Sequence, residues 1–227
     1  MNFTIIAEGS YPALEVSLET GDRLVSEAGA MAWMDTHVEI KTAARGGIGA
    51  SLKRAVLGGA SFFQNEYTCP KGAGKLVLAP GQPGAITEFV MGGGRELLVE
   101  AGSYLCSHPD VVIDTKFQGF KGILSSGLFV IKATGTGSLY LSAYGDLHEV
   151  DVNGEYVVDN GYAVAWDAGL SYKVTNTGRT IRSFLANQLV NVYSGTGKLW
   201  VQSRSPASLA SYLNPFRLVE KSSSSSD

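Results

Sequence analysis

The heptapeptide Gly72-Ala73-Gly74-Lys75-Leu76-Val77-Leu78 decides the fold, because its spacing of glycine and leucine returns twice further along the chain. The second copy is Gly135-Thr136-Gly137-Ser138-Leu139-Tyr140-Leu141, and the third is Gly195-Thr196-Gly197-Lys198-Leu199-Trp200-Val201. Successive copies begin 63 and 60 residues apart. Self-similarity at a nearly constant period indicates a chain that is built from repeated structural units.

A second motif precedes each heptapeptide and supports the same division. It reads Glu27-Ala28-Gly29, Glu100-Ala101-Gly102 and Asp159-Asn160-Gly161. The two motifs lie 33 and 34 residues apart in the second and third copies, but 43 residues apart in the first. The first copy therefore carries an insertion of about ten residues, which we place in the glycine-rich residues 44–59.

The strands within the copies are short and alternate apolar with polar residues, as Leu14, Val16 and Leu18 do with their neighbours. Such strands, separated by glycine turns, predict an all-β fold packed as a sandwich or barrel, similar to a double-stranded β-helix. Modules of about 60 residues cannot each hold a full core, so we expect pseudo-three-fold packing about a shared core. The prediction is one β domain over residues 1–214, with modules at about 23–80, 96–143 and 155–204.

Glycine accounts for 28 of the 227 residues, and the glycines of the motifs are expected to serve backbone geometry rather than ligand contact. We assign them to structural turns that need a positive φ. They are Gly29, Gly72, Gly74, Gly102, Gly135, Gly137, Gly161, Gly195 and Gly197.

One helix has clear sequence boundaries, near the C-terminus. Ser205 is suited to the N-cap, Pro206 to the first helical position, and Asn214-Pro215 to the end. A short C-terminal helix is therefore predicted. Residues 215–227, which include five consecutive serines, are expected to form a mobile tail because they cannot bury apolar surface.

Charge and segment composition exclude several classes of protein. Eighteen Lys and Arg against 21 Asp and Glu give a net charge of −3, which is not the basic footprint of a duplex-binding protein. The start of the chain lacks the features of a signal or transit peptide, so a cytoplasmic location is expected. No uncharged stretch reaches the roughly 20 apolar residues of a membrane span, so no transmembrane segment is expected.

The residues that usually carry catalysis or bind metals are scattered. His37, His108 and His148 lie in different copies, and only Cys106-Ser107-His108 brings a thiol and an imidazole together. No further ligand lies nearby, so we favour a buried cysteine beside a loop histidine. Cys69 and Cys106 are expected to be reduced and buried. Phosphate-loop and nucleophile-elbow motifs are incomplete, so no catalytic residue, cofactor or metal is predicted.

The insertion is the candidate interaction surface. Ile48 and Leu52 lie about one helical turn apart beside basic residues, which is a short amphipathic pattern. Two interpretations stay open: a loop or half-helix that caps one end of the barrel, and a contact with an anion, a membrane surface or a partner. The surface would consist of Arg45, Lys53, Arg54, Phe62 and Phe63.

Together these motifs resemble a known family. The three Gly-x-Gly-x-Leu copies, the Glu27 to Met31 element, Ser61-Phe62-Phe63, and the stretches Leu76 to Gly81 and Leu199 to Arg204 are similar to the altered inheritance of mitochondria family. The resemblance covers about residues 2–204. This mitochondrial biogenesis family implies a fold of the tryptophan RNA-binding attenuation protein-like class and no known catalytic residues. Ala60 and Ala186-Asn187-Gln188 stand where the family commonly carries carboxylates.

The expected function is a non-enzymatic binding or assembly module that self-associates as a scaffold. Repeat-built sheets have edges that must be paired or protected, so a homo-oligomer is expected. The alternative is a small-ligand or nucleic-acid binding protein. Specific nucleic-acid binding is not expected, because the basic cluster of the first module would give only weak contacts at physiological salt; it consists of Arg45, Lys53, Arg54, Lys71 and Lys75.

Overall fold

A computed structural model of the chain describes residues 1–7, 9, 11–43, 62, 64–115, 129–176 and 189–217. Its regular structure is mostly β-sheet, as the alternation of apolar and polar residues predicts. The strands are β1 (Asn2–Ile6), β2 (Ala13–Leu18), β3 (Arg23–Glu27), β4 (Met31–Met34), β5 (Glu39–Ala43), β6 (Gln64–Thr68), β7 (Gly74–Leu78), β8 (Ile86–Met91), β9 (Leu97–Glu100), β10 (Tyr104–Ser107), β11 (Val111–Asp114), β12 (Val130–Gly135), β13 (Gly137–Ser142), β14 (Leu147–Asp159), β15 (Ala163–Asp167), β16 (Ser171–Asn176) and β17 (Leu189–Gln202).

The strands form three antiparallel sheets. One has the order β1-β2-β7-β4, the next β5-β6-β3-β10-β13-β8, and the largest β11-β12-β9-β15-β17-β14, with β16 also paired to β17. The long strands β14 and β17 pair without interruption from Leu147 opposite Gln202 to Asp159 opposite Val190. Each sheet therefore draws on more than one part of the sequence.

The pairing of strands follows the same scheme around each heptapeptide. β4 pairs with β7, β10 with β13, and β15 with β17. Each pair has a register irregularity at the same place, between Met31 and Trp33, between Tyr104 and Cys106, and between Ala163 and Ala165. The three heptapeptides therefore share one local pairing scheme, and the division of the chain into three repeated modules stays a prediction. The arrangement of the copies about a common axis stays a prediction.

Apolar side chains gather in three clusters. The first two combine residues of two neighbouring sheets, whereas the strand residues of the third all belong to the largest sheet. Core 1 includes Leu14, Tyr67 and Leu76; core 2 includes Leu97, Ile131 and Leu139; core 3 includes Trp166, Tyr172 and Tyr193. A fully buried leucine contributes roughly 1.5–3 kcal/mol relative to an exposed one. Cys69 and Cys106 are free and buried, which confirms the prediction for both.

The predicted C-terminal helix is confirmed as α1 (Pro206–Leu213). The Ser205 side chain accepts a hydrogen bond from the Ser208 N–H, and proline begins the helix. A 3-10 turn over Asn214–Phe216 follows, so ordered backbone continues two residues into the predicted tail. Residues 218–227 of that tail lie outside the described residues. No residue of α1 is buried.

The motif glycines fall into two groups. Positive φ angles occur at Gly29, Gly72, Gly135, Gly137, Gly161 and Gly195. The prediction of a positive φ is wrong for Gly74, Gly102 and Gly197, whose φ angles lie outside the left-handed region. Gly74 and Gly197 are instead closely packed. A Cβ on Gly74 would lie 3.0 Å from Val38 Cγ2, and a Cβ on Gly197 would lie 3.2 Å from Leu170 Cγ. Gly102 is part of the 3-10 turn Ala101–Ser103.

Candidate functional site

Two antiparallel strand pairs, which we call joints, connect the successive copies. In the first joint β10 pairs with β3, with Cys106 opposite Ser26. In the second joint β15 pairs with β9, with Ala165 opposite Val99. All four residues of β10 are buried, as are the first four of β15. Each joint therefore removes two sheet edges from solvent.

Two sheet edges lack such a joint. β4 is the counterpart of β10 and β15, yet within the described residues it pairs only with β7. Residues 156–158 of β14 are the counterparts of β3 and β9 residues, and they pair only with β17 within the same part of the chain. We call β4 the leading edge and residues 156–158 the trailing edge.

Both edges expose large apolar side chains. On the leading edge Trp33 is 58% exposed and Met31 36%. On the trailing edge Val157 is 58% exposed and Tyr156 41%. By contrast, Cys106 and Ala165, which occupy the position of Trp33 in the other copies, are fully buried.

Neither edge has the usual protection against strand addition. Natural edge strands are commonly blunted by charged side chains or proline. Several outer strands here follow that rule, with Lys41 on β5, Glu88 on β8 and Lys173 on β16. The leading edge, Met-Ala-Trp-Met, and the trailing edge, Tyr-Val-Val, contain no charged residue and no proline. Glu155 and Asp159 flank the trailing edge within β14, so the uncharged stretch there is three residues long.

Two carboxylates from the Glu-Ala-Gly motifs interact beside the first joint. Burial and, to a smaller extent, the negative charge of Glu100 together raise the pKa of Glu27 to about 7. Burial also raises the pKa of Glu100, although that carboxylate accepts hydrogen bonds from the Gly102 N–H and from the N–H and hydroxyl of Ser103. In the described part of the chain, no group of three His, Cys, Asp or Glu residues could hold a metal ion.

Glu27→Gln is expected to flatten the dependence of stability on pH. The Glu27 carboxyl has an ordinary pKa of 4.5 and a folded-state pKa of about 7, so the native state keeps a proton that the unfolded chain releases. The free energy of unfolding of the natural protein therefore falls as the pH rises through this window. Thermal melts at pH 5 and pH 7.5 measure the difference. Glu39→Gln, on the exposed β5, is the control, and equal slopes in all three proteins would contradict the assignment.

Of the five residues predicted for the interaction surface, only Phe62 is within the described residues. Its ring centroid lies 5.4 Å from that of Tyr104, and its side chain packs against core 2. The Tyr104 hydroxyl donates to the Val25 carbonyl oxygen at 3.1 Å and accepts from Gln64 Nε2 at 3.2 Å. Phe62 therefore supports the first joint. Arg45, Lys53, Arg54 and Phe63 lie outside the described residues.

A cleft of about 490 Å³ lies among the loops next to β2, β8, β13 and β17. Its lining includes Tyr11, Tyr144, Asp146 and Arg204. The Arg204 guanidinium donates to the Ser203 carbonyl oxygen at 2.8 Å, and no carboxylate of the described residues forms an ion pair with it. An arginine without a carboxylate partner leaves donors for an anionic group.

Sequence reasoning missed a pair of buried Asn-x-Tyr segments, Asn65 with Tyr67 and Asn191 with Tyr193. Asn65 Nδ2 donates to the Tyr67 hydroxyl at 3.4 Å. Asn191 is fully buried, and neither of its side-chain polar atoms has a hydrogen-bond partner among the described residues. The signal was available in the sequence, because each segment precedes the heptapeptide of its copy.

The geometry defines an all-β protein in which sheets shared between successive copies end in two exposed, uncharged edges. Comparison with known proteins gives the family. The model of the mitochondrial biogenesis AIM24 family matches residues 3–204, so the chain belongs to that family. The resemblance that the motifs indicated is thereby confirmed.

Two relatives extend the comparison. An uncharacterised protein of Streptococcus pyogenes serotype M6 is 27% identical over an alignment of 214 residues, and the match covers 89% of this chain and 86% of that protein. The crystal structure of another Streptococcus pyogenes protein has a TM-score of 0.78 and 26% identity, over 95% of this chain and 99% of that one. In the ranges that the structure describes, no helix is long and apolar enough to cross a membrane.

Proposed function

We propose that the protein is a non-enzymatic assembly module that self-associates through its open sheet edges. The observation that carries the proposal is the exposed leading edge, whose counterparts in the other two copies are buried. The backbone N–H and C=O groups of an open edge are a template for another strand. Trp33 adds a large apolar side chain of the type that dominates binding energy at protein interfaces.

In this proposal the copies follow one another by a similar step, as the expected pseudo-three-fold arrangement requires. The step does not close within one chain, because closure would pair the leading edge with the trailing edge of the same chain. The two joints use equivalent strands in equivalent register, so each copy is related to the preceding one by a similar operation. Repeated use of one contact builds rings when the rotation closes and open arrays when it does not. Specific nucleic-acid binding is not part of the proposal.

Trp33→Lys is expected to reduce self-association without reducing the stability of the single chain. The charged side chain would have to be buried at the edge when a second strand adds, whereas in the isolated chain it stays in solvent. Light scattering at increasing protein concentration should show masses above the 24.0 kDa of one chain for the natural protein. The variant should require at least tenfold higher concentration for the same mass.

The matched control is Val90→Lys. Val90 is 69% exposed and lies on β8, which is also the outer strand of a sheet but carries Glu88. This control should associate like the natural protein. A natural protein with the mass of a single chain at every concentration would contradict the proposed function.

A second candidate function is the binding of a small anionic ligand, and the cleft around Arg204 favours it. The cleft combines a guanidinium that has no ion-pair partner in the described ranges with two tyrosine rings, Tyr11 and Tyr144. A small molecule with one carboxylate and one flat apolar group matches this lining, because guanidinium binds carboxylate and aromatic faces stack.

Benzoate is a suitable probe of the cleft. Titration of the protein with benzoate should shift the backbone NMR signals of the residues around Tyr144 and Arg204 with a dissociation constant near 1 mM or tighter. Arg204→Gln should weaken this binding at least tenfold. Arg217→Gln, an exposed arginine beyond α1, should leave it unchanged. Signals that do not move with benzoate would remove this candidate.

A further inference from the structure

The two joints within the chain have one common register. In the first, Cys106 lies opposite Ser26 and Ser107 opposite Val25. In the second, Ala165 lies opposite Val99 and Trp166 opposite Leu98. Cys106 and Ala165 follow the same register irregularity, so the two joints are equivalent residue by residue.

By the same equivalence the leading edge corresponds to β10 and β15, and the trailing edge corresponds to β3 and β9. The two edges could therefore form a third joint. On the leading edge Trp33 follows the irregularity as Cys106 and Ala165 do. On the trailing edge Val158 lies opposite Asn191, as Ser26 lies opposite Asn65. A third joint would therefore be antiparallel and would set Trp33 opposite Val158 and Met34 opposite Val157.

The cores point to the same missing contact. Core 1 is completed by Leu105 and Cys106 of the following copy. Core 2 is completed in the same way by Val164 and Ala165. Core 3 contains no equivalent contribution among the described residues. The counterparts of these completing residues are Ala32 and Trp33, which belong to the first copy and are exposed.

Polar groups in core 3 are also incomplete. Trp166 Nε1, the Tyr193 hydroxyl and both polar atoms of Asn191 are buried without a hydrogen-bond partner in the described part of the chain. Directly opposed residues of a sheet share a face. Trp33 opposite Val158 would therefore lie on the face of Asn191, two strands away, and bring an indole N–H donor to that side.

We infer that the leading edge of one chain pairs with the trailing edge of a second copy, in the register of the internal joints. The inference rests on the proposed function and names its contact. Each chain presents one leading and one trailing edge, so the contact is heterologous. It differs from two-fold pairing of two leading edges, which would leave the trailing edge unused and core 3 without Ala32 and Trp33.

Mixing two variants tests the contact. Trp33→Lys blocks the leading edge and keeps the trailing edge, whereas Val157→Lys does the reverse. Each variant alone should have the mass of one chain under conditions in which the natural protein associates. An equimolar mixture should form a dimer of twice 24.0 kDa that does not grow further, because it has one intact joint and two blocked edges. Thermal melts should show that both variants are folded.

The outcomes separate this inference from the proposed function. If the natural protein associates but the mixture stays at the mass of one chain, the heterologous contact is wrong and self-association stands. A Val157→Lys variant that dimerises alone indicates pairing of two leading edges and also overturns the inference. If the natural protein never associates, both fail. A Trp33→Cys/Val158→Cys double variant that cross-links within one chain would show internal closure instead.

Discussion

Gly135→Val is expected to lower the free energy of unfolding by about 3 kcal/mol or more. Gly135 has φ +96°, a region that a β-branched residue rarely occupies. A Cβ there would also overlap the carbonyl oxygen of Asp110. That oxygen accepts a hydrogen bond from the Thr136 N–H at 3.3 Å, and Val111 pairs with Gly135 itself. Neither partner can move away without breaking the hairpin of β11 and β12.

Gly72→Val and Gly195→Val separate the two causes. Gly72 has φ +141° and open space around its missing Cβ, so only the backbone strain of about 1–3 kcal/mol remains. Gly195 has φ +129° and would bring its Cβ to 3.4 Å from Leu170 Cδ2, an ordinary contact. Urea unfolding should rank Gly135→Val as the most destabilised of the three. Three midpoints equal to that of the natural protein would remove the explanation based on shared turns.

The fold class and the helix could be predicted from sequence because they depend on local signals. Alternation at Leu14, Val16 and Leu18 reports which face of a strand is buried, and Ser205-Pro206 reports where a helix begins. The reason for Gly74 and Gly197 could not be predicted in the same way. Gly197 would place a Cβ 3.2 Å from Leu170 Cγ, a contact between β17 and the turn before β16. Only the pairing of strands brings them together.

Still less of the candidate site could be predicted from local sequence signals. Met31–Met34 and residues 156–158 are short stretches without charged residues, and composition does not reveal that one side of each has no partner among the described residues. Sequence reasoning placed the interaction surface in and next to the insertion, where basic residues lie beside apolar ones in a short amphipathic pattern. An open edge is a property of topology, because β10 and β15 were joined to earlier copies and β4 was not. The aligned motifs could have indicated it, because the first copy has no preceding copy to pair with and the last has no following one.

Trp166→Ala is expected to lower the free energy of unfolding by about 3–5 kcal/mol, the range for removal of a large buried aromatic side chain. Trp166 is fully buried in core 3, with its ring centroid 4.9 Å from that of Tyr172 and 5.2 Å from that of Tyr193. Both contacts are edge-to-face arrangements, which contribute beyond the buried area. A domain is typically stable by only 5–15 kcal/mol, so this loss is a large share of the total.

Two further variants make the result specific to packing in core 3. Trp33→Ala should change the urea midpoint of the single chain little, because Trp33 is 58% exposed. Trp166→Phe should cost less than Trp166→Ala, since it keeps a ring between the tyrosines and removes an indole N–H that has no hydrogen-bond partner in the described residues. If Trp166→Ala and Trp33→Ala unfold at the same urea concentration, core 3 does not stabilise the chain. The expected order of decreasing urea midpoint is natural protein, Trp166→Phe, Trp166→Ala. Any other order would contradict the packing explanation.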